Sequence, residues 1–293
     1  MMICKHKLLL RTSLAFMASY SLSTSAAQVA TDPGDYSPLP AGIDLGILYY
    51  QHTTHNDVYV DNDLVDEGMK LTTDIGLLRW VHYIDVRGFI ADPQIIIPFG
   101  NVSLDTTAGE ADASGIGDPM VGGTVWLYNN ADTKAAFGVT ALLSVPVGHY
   151  NKKDAINLGE NRWKLITQAA YTTPIASSYS LDLIGEYTIF GENDDFVAGS
   201  LKQDPQYGVQ THISKHFSER SRLSLSYFHD FGAETQISGT DQDNELNNSR
   251  WQVSYSHFVR PDLQLMLQYG QSIRVKNGFA EGDRVNLRLV KVF

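Results

Sequence analysis

Residues 263–270 read Leu263-Gln264-Leu265-Met266-Leu267-Gln268-Tyr269-Gly270. Leu263, Leu265, Leu267 and Tyr269 alternate with Gln264, Met266, Gln268 and Gly270. Adjacent side chains of a strand point to opposite faces, so this period of two predicts a β-strand with one apolar and one more polar face. The end of the chain repeats it, with Val285, Leu287, Leu289 and Phe293 on one face and Asn286 and Arg288 on the other.

The same alternation continues toward the N-terminus. Trp251, Val253 and Tyr255 alternate with Gln252, Ser254 and Ser256, and Leu223, Leu225 and Tyr227 with Ser224, Ser226 and Phe228. Tyr207, Val209, Ile213 and Phe217 alternate with Gly208, Gln210, His212 and His216. Leu181, Leu183, Tyr187 and Ile189 alternate with Asp182, Glu186 and Thr188. Less regular strands start near Gly42, Met69, Val86, Ile116, Ala135 and Arg162, which brings the expected number to twelve.

Connection lengths separate a membrane barrel from a soluble sandwich. The odd connections read as long, at 53–68, 100–115, 148–161, 191–206, 236–248 and 276–283. The even ones read as short, at about 83–85, 129–134, 173–178, 218–221 and 260–262. Short periplasmic turns and long extracellular loops give an outer-membrane barrel this rhythm. The expected fold is all-β, a single antiparallel transmembrane β-barrel of about twelve strands in the bacterial outer membrane, with both termini in the periplasm. Its expected partners are the bilayer, lipopolysaccharide and the outer-membrane assembly machinery. A terminal aromatic on an alternating last strand makes Phe293 the expected assembly signal.

The start of the chain carries Lys5, His6 and Lys7, an apolar run that includes Leu14-Ala15-Phe16-Met17-Ala18, and then Ser23-Thr24-Ser25-Ala26-Ala27. That order reads as a secretory signal peptide over 1–27. Residues 28–41 then form a periplasmic N-terminal segment, and 42–293 the barrel. Cys4 is the one cysteine and lies in that peptide, which excludes disulfides and thiol chemistry from the mature chain. The net charge of −11 becomes −14 without Lys5, Lys7 and Arg11, a balance that argues against nucleic acid as a partner. Acidic runs such as Asp61-Asn62-Asp63 and Asp241-Gln242-Asp243-Asn244-Glu245 read as solvated loops; clustered oxygens would also suit calcium, but none fits an EF-hand template. No cofactor or metal is expected.

Four segments carry a resemblance to a known family. They are Asp35-Tyr36-Ser37-Pro38-Leu39-Pro40-Ala41-Gly42, Ser114-Gly115-Ile116-Gly117-Asp118-Pro119, Leu143 to Asn151 with Val147 where a Thr is usual, and Asn157-Leu158-Gly159-Glu160-Asn161-Arg162-Trp163. In this order they resemble the outer-membrane proteins named for the meta-pathway of phenol degradation. The resemblance implies a barrel that passes hydrophobic or aromatic compounds inward, and it implies no catalytic residue.

An outer-membrane lipase or protease is the rival class. Its candidates are His212-Ile213-Ser214 and His229-Asp230. Parity turns His212 and Ser214 into the lumen, away from bilayer lipid, and adjacent residues such as His229 and Asp230 face opposite sides of a wall. The lumen is the remaining site. Strand parity gives Asp44, Asp74, Asp118, Lys164, Asp182, Glu186, Asp230, Arg250 and Arg288 as lumen-lining residues, with Gly46, Gly76, Gly122, Gly208 and Gly270 leaving space beside them. Trp126 and Phe228 are the expected inward rings. Twelve strands fall between the filled eight-stranded barrel and the wide porin. The expected function is a narrow passive channel for small hydrophobic or aromatic compounds; the alternative is a structural surface barrel with a plugged lumen.

Overall fold

The computed structural model describes residues 30–66, 68–107 and 109–293; the expected signal peptide lies outside them. Twelve wall strands run in sequence order: β1 (Asp44–Val60), β2 (Lys70–His82), β3 (Phe89–Thr106), β4 (Met120–Asn130), β5 (Ala135–Ser144), β6 (Lys164–Ala176), β7 (Tyr179–Phe190), β8 (Gln206–His216), β9 (Ser221–Gly232), β10 (Leu246–Arg260), β11 (Leu263–Arg274) and β12 (Gly278–Val292). Each pairs antiparallel with the next, and β12 pairs with β1 from Leu45↔Val292 to Tyr59↔Gly278. This closes the barrel and pairs the backbone of the wall within the sheet, as hydrocarbon requires, up to the point beyond Ile96 where the β3–β4 pairing ends. The described residues form no helix.

The outer surface follows the alternation. Leu48, Leu78, Leu183, Leu225, Leu267 and Leu287 are exposed, and each is flanked along its strand by less exposed neighbours. Exposed Trp80, Tyr171, Tyr187, Tyr227 and Tyr255 add aromatic rings to this surface, amphipathic groups suited to the membrane–water boundary.

At the end of the barrel that carries both termini, the connections are tight. Ser177–Ser178 and Pro261–Asp262 join neighbouring strands directly. Arg87 and Gly88 turn with φ of 56° and 91°, the double left-handed geometry of a tight hairpin. That turn lies beyond the expected 83–85 because Ile84–Val86 pairs back on Phe89–Ala91.

At the opposite, loop end, the rhythm is less regular than the sequence suggests. Thr53–Val60 belongs to β1, and Gly100–Thr106 belongs to β3, where it pairs with Gly109–Ile116. The connection expected over 276–283 shrinks to 275–277, because β12 begins at Gly278. A wall that projects beyond the apolar band turns polar on both faces, and its composition then resembles a loop. Residues 193–203 and 235–241 form a separate four-stranded sheet above β7–β10.

Candidate functional site

Inward side chains divide the lumen into two halves of opposite chemistry. From β1 to β6 the inner face carries most of the buried apolar side chains: Leu45, Ile47, Ile75, Leu77, Ile96 and Met120 belong to one packed cluster, beside buried Gln94, Thr124, Thr140 and Gln168. The cluster extends from Val81 and Tyr83, near the terminal end, to Val102, Leu104 and Ala113 at the loop end. From β7 to β12 the inner face is polar, with buried Asp182, Gln210, His212, Ser226, Gln252 and Asn286 among its members. The interior is therefore not uniformly polar, as strand parity predicts, but two-sided.

The segment before β1 enters this lumen from the terminal end; the described part of the expected periplasmic segment 28–41 thus starts inside the wall. Thr31, Asp32 and Tyr36 are buried. Thr31 donates its backbone N–H (3.0 Å) and hydroxyl (2.8 Å) to Gln210 Oε1, and its Oγ1 lies 2.9 Å from His212 Nε2. Gln268 Nε2 donates to Asp32 Oδ1 (2.7 Å), and Gly34 N donates to Asp182 Oδ2 (2.8 Å). Arg288 lies 3.4 Å from Asp32 and 3.0 Å from Asp35, and Arg79 is 3.4 Å from Asp35. Tyr36 donates to Gln168 Oε1 (2.8 Å) and lies 2.7 Å from Thr140 Oγ1; Trp126 Nε1 donates to the Tyr36 carbonyl (2.9 Å). Gly34 has φ of +81°, and a Cβ there would sit 2.2 Å from the Arg222 guanidinium. Glycine meets both the backbone angle and the close approach. These contacts reach β2 and β4–β9 as well as β11 and β12, so the segment forms a plug across the lumen.

Of the residues expected to line the lumen, Asp182, Glu186, Asp230, Arg250 and Arg288 face inward. Asp182 holds the plug and also accepts from Thr172 Oγ1. Glu186 accepts from Gln168 (2.7 Å) and Gln210 (3.2 Å), and Asp230 from Gln206 (3.3 Å). Arg250 lies 3.6 Å over the Phe228 ring. Lys164 also faces inward and pairs with Glu160 at the loop end.

Asp44 and Asp74 do not face inward. Asp74 shares the exposed face with Leu78 and Trp80, and accepts from Tyr50 Oη (2.6 Å) and contacts His52 Nδ1 (2.8 Å). Asp44 lies one residue off the buried Leu45 and contacts His82 Nδ1 (2.7 Å). Gly46 and Gly76 share this outward parity: a Cβ on each would meet Phe293 or Phe99, both exposed rings. In β1 and β2 both faces are apolar, so polarity there does not mark the inside. Arg79, Asp35, Glu281 and Arg284 are interior charges that parity missed. Arg79 shares the face of Leu77, and Arg284 pairs inward with Glu281, which lies within the 276–283 that read as loop.

Asp118 sits at the loop-end margin of the lumen, in a recess shared with the inward residues Ile75, Met120, Ser144 and Lys164. Beyond Ile96, β3 and β4 part, and the connection 145–163 packs beside the gap. Asp118 lies there, its Oδ1 accepting from Gly148 N (2.8 Å) and its Oδ2 from Glu160 N (2.7 Å). A Cβ on Gly148 would stand 2.5 Å from the Gly117 carbonyl carbon. Burial pushes the Asp118 carboxyl up. Burial pushes Glu160 the same way, but Lys164 and Arg162 override it and lower Glu160 to about 2. Three of the four family-like segments thus meet in one loop cluster, and the fourth supplies the plug. His212 and Ser214 face inward but bond Ser226 (2.8 Å) and Ser224 (2.8 Å) separately.

A closed twelve-stranded antiparallel wall with an apolar outer band and a plugged interior defines an outer-membrane β-barrel. A family model described as "Putative MetA-pathway of phenol degradation" matches residues 46–289, and the chain belongs to that family. The crystal structure of the COG4313 outer membrane channel from Pseudomonas putida F1 is similar over 90% of this chain and 100% of its own, with 36% identity and a TM-score of 0.87. The β domain of the Bordetella autotransporter BrkA (5% identity, 87% of this chain and 100% of its own, TM-score 0.52) shares the fold alone. So does the transport unit of the autotransporter AIDA-I from Escherichia coli (10% identity, 94% and 96%, TM-score 0.52). No curated protein sequence matches.

Proposed function

We propose that this barrel is a passive outer-membrane channel that admits small hydrophobic or aromatic compounds, and that it performs no catalysis. One observation carries the reading: an apolar cluster on the inner faces of β1–β6 runs from the loop end toward the plug, interleaved with buried Thr73, Gln94, Thr124 and Thr140. A channel for hydrated solutes gains nothing from such a surface, whereas an apolar solute would exchange water for it favourably, at about 25 cal/mol per Å² of apolar area removed from water. Family membership and the relative named an outer membrane channel support the reading. In this orientation the loop end faces lipopolysaccharide, the termini face the periplasm, and Phe293 presents the assembly signal.

The alternative is a structural barrel without transport, and the plug is the observation in its favour. Proteoliposomes separate the two. Wild-type protein should speed entry of a small aromatic tracer over empty liposomes and leave a large sugar excluded. Equal rates with and without protein would give the structural reading its place. Orientation has its own test: a cysteine at Asp243 should label on intact cells, and one at Asp262 only after permeabilisation. The reverse pattern would invert the barrel.

A further inference from the structure

Arg250 stands apart from the other arginines of the interior. Arg288 and Arg79 are paired with the plug's aspartates, Arg284 with Glu281 and Arg162 with Glu160. Arg222 donates to the Pro33 carbonyl. Arg250 is 6% exposed, and its Nε and Nη1 have no hydrogen-bond partner among the described residues. The segment outside them at the N-terminus offers no carboxylate, since no Asp or Glu precedes Asp32. Glu281, Asp230 and Glu186 attract Arg250 electrostatically, but buried donors left without a hydrogen bond are still costly, and the Phe228 ring 3.6 Å away offsets only part of that cost.

The surroundings show what would complete it. Gln210, Phe228, Arg250 and Ser272 form one rung across β8–β11, and Gln210 is the residue that holds Thr31 of the plug. Arg250 lines a recess of about 470 Å³, counted out to its open mouth, together with plug residues Thr31 and Asp32. Tyr49, Leu77 and Ile96 give the same recess an apolar side. Asp32, its one carboxylate, is already in contact with Arg288.

We infer that this recess, at the junction of the two lumen halves and beside the plug, is a binding site for a small amphipathic carboxylate. The carboxylate takes the free guanidinium nitrogens of Arg250, and an aromatic or short aliphatic body lies against Tyr49, Leu77 and Ile96. The inference deepens the channel reading and rests on it, because it assigns a solute class to that path. A guanidinium matches a carboxylate in charge and hydrogen-bond geometry, whereas a neutral aromatic leaves Arg250 unpaired.

The test is calorimetric titration of the full chain in detergent with benzoate and with its neutral isostere benzamide, at constant ionic strength. Wild-type protein should bind benzoate saturably and benzamide at least tenfold more weakly. Arg250→Gln should weaken benzoate at least tenfold and leave benzamide unchanged, and Arg250→Lys should retain part of the benzoate affinity. Heat-dependent gel mobility checks that each variant is folded. Should Arg250→Gln fail to fold, the wild-type comparison of the two ligands decides alone. Benzamide binding as tightly as benzoate would overturn the inference, as would a folded Arg250→Gln protein that binds benzoate within twofold of wild type. Chloride competing as well as benzoate would reduce the site to an inorganic anion site and also overturn it. Liposome entry of a neutral aromatic separates the two levels. Benzoate binding without any entry sinks the channel and spares the site; entry without benzoate binding does the reverse.

Discussion

The two halves of the lumen use one wall architecture for different ends. On β7–β12 the outward residues are apolar and the inward ones polar, as in Leu225 against Ser224 and Ser226. On β1 and β2 both faces are largely apolar: Leu48 and Leu78 are exposed while Ile47, Ile75 and Leu77 are buried. The polar half spends its hydrogen-bond capacity on the plug and on cross-strand pairs, and the apolar half packs against itself. The difference also assigns separate roles: the polar half fixes position, and the apolar half offers surface.

The largest effect should come from forcing one half to behave like the other. Ile96 is 1% exposed within the apolar cluster. We predict that Ile96→Asp destabilises the barrel by more than ~4 kcal/mol, because an unpaired buried carboxylate must either stay charged at great cost or take up a proton. The folded, heat-modifiable band should be lost. In the polar half, Ser224→Ala removes one hydroxyl contact, the 2.8 Å pair with Ser214, and should cost only about 0.5–1.5 kcal/mol. Equal tolerance at both positions would show that Ile96 is not packed as its burial implies.

This asymmetry also explains which features were legible. Where strands alternate cleanly, parity alone places Asp182, Glu186, Asp230, Arg250 and Arg288 inside. In β1 and β2, where Leu48 and Leu78 face out while Ile47 and Leu77 face in, a period of two carries no polarity, and Asp44 and Asp74 fall on the wrong side. The strand number and closure were readable from period and connection rhythm. The plug was not, because nothing in Thr31-Asp32-Pro33-Gly34-Asp35-Tyr36 announces burial: it reads as a turn-rich linker. The one available signal was a pair of carboxylates, Asp32 and Asp35, in a barrel with inward arginines.

Arg288 links the plug to the polar half, and removing it should release one without breaking the other. Arg288→Met leaves Asp32 and Asp35 buried without their shared cation. Breaking a buried pair in this way costs about 3–5 kcal/mol. The plug has an exit that the wall lacks, so we predict that it leaves the lumen. Single-channel conductance should rise and residues 30–41 should become protease-sensitive, while boiled and unboiled protein still migrate differently. Adding Asp32→Asn and Asp35→Asn should recover part of the closed state. Unchanged conductance would mean that Tyr36 and Gly34 hold the plug without the ion pairs.

The loop cluster should respond to pH in a defined direction. Lys164 and Arg162 hold the Glu160 carboxyl down to about 2 from an ordinary 4.5, against the effect of burial. A depressed carboxylate contributes stability that is fully present above its unfolded value and is lost as pH falls through its folded one. Protection of residues 145–163 from an acid-tolerant protease should therefore hold at pH 5 and decline between about 4.5 and about 2. Asp118, raised by burial, takes its proton more readily folded than unfolded and so partly opposes this decline. Glu160→Gln should weaken the protection at pH 5 and flatten its dependence on pH. A decline that begins near neutrality would identify another group as the switch.

The smallest effect should come from the charge that the two halves share least. Asp74 lies on β2 with Tyr50 and His52 on the exposed face, and the Asp74 and His52 side chains are each 36% exposed. A polar contact this open is worth about 0–1 kcal/mol, because water screens it and the side chains lose freedom in forming it. Asp74→Asn should keep the 2.6 Å contact with the Tyr50 hydroxyl, since an amide oxygen accepts the same hydrogen bond. The thermal midpoint in detergent should stay close to that of wild type. Conductance and solute entry should be unchanged, because Thr73 and Ile75 on either side are the inward residues. Had Asp74 lined the passage, neutralising it would alter ion selectivity directly, as a change at Glu186 should. A selectivity shift in Asp74→Asn without one in Glu186→Gln would reverse the assignment of faces in β2, and the apolar half of the lumen would have to be redrawn with it.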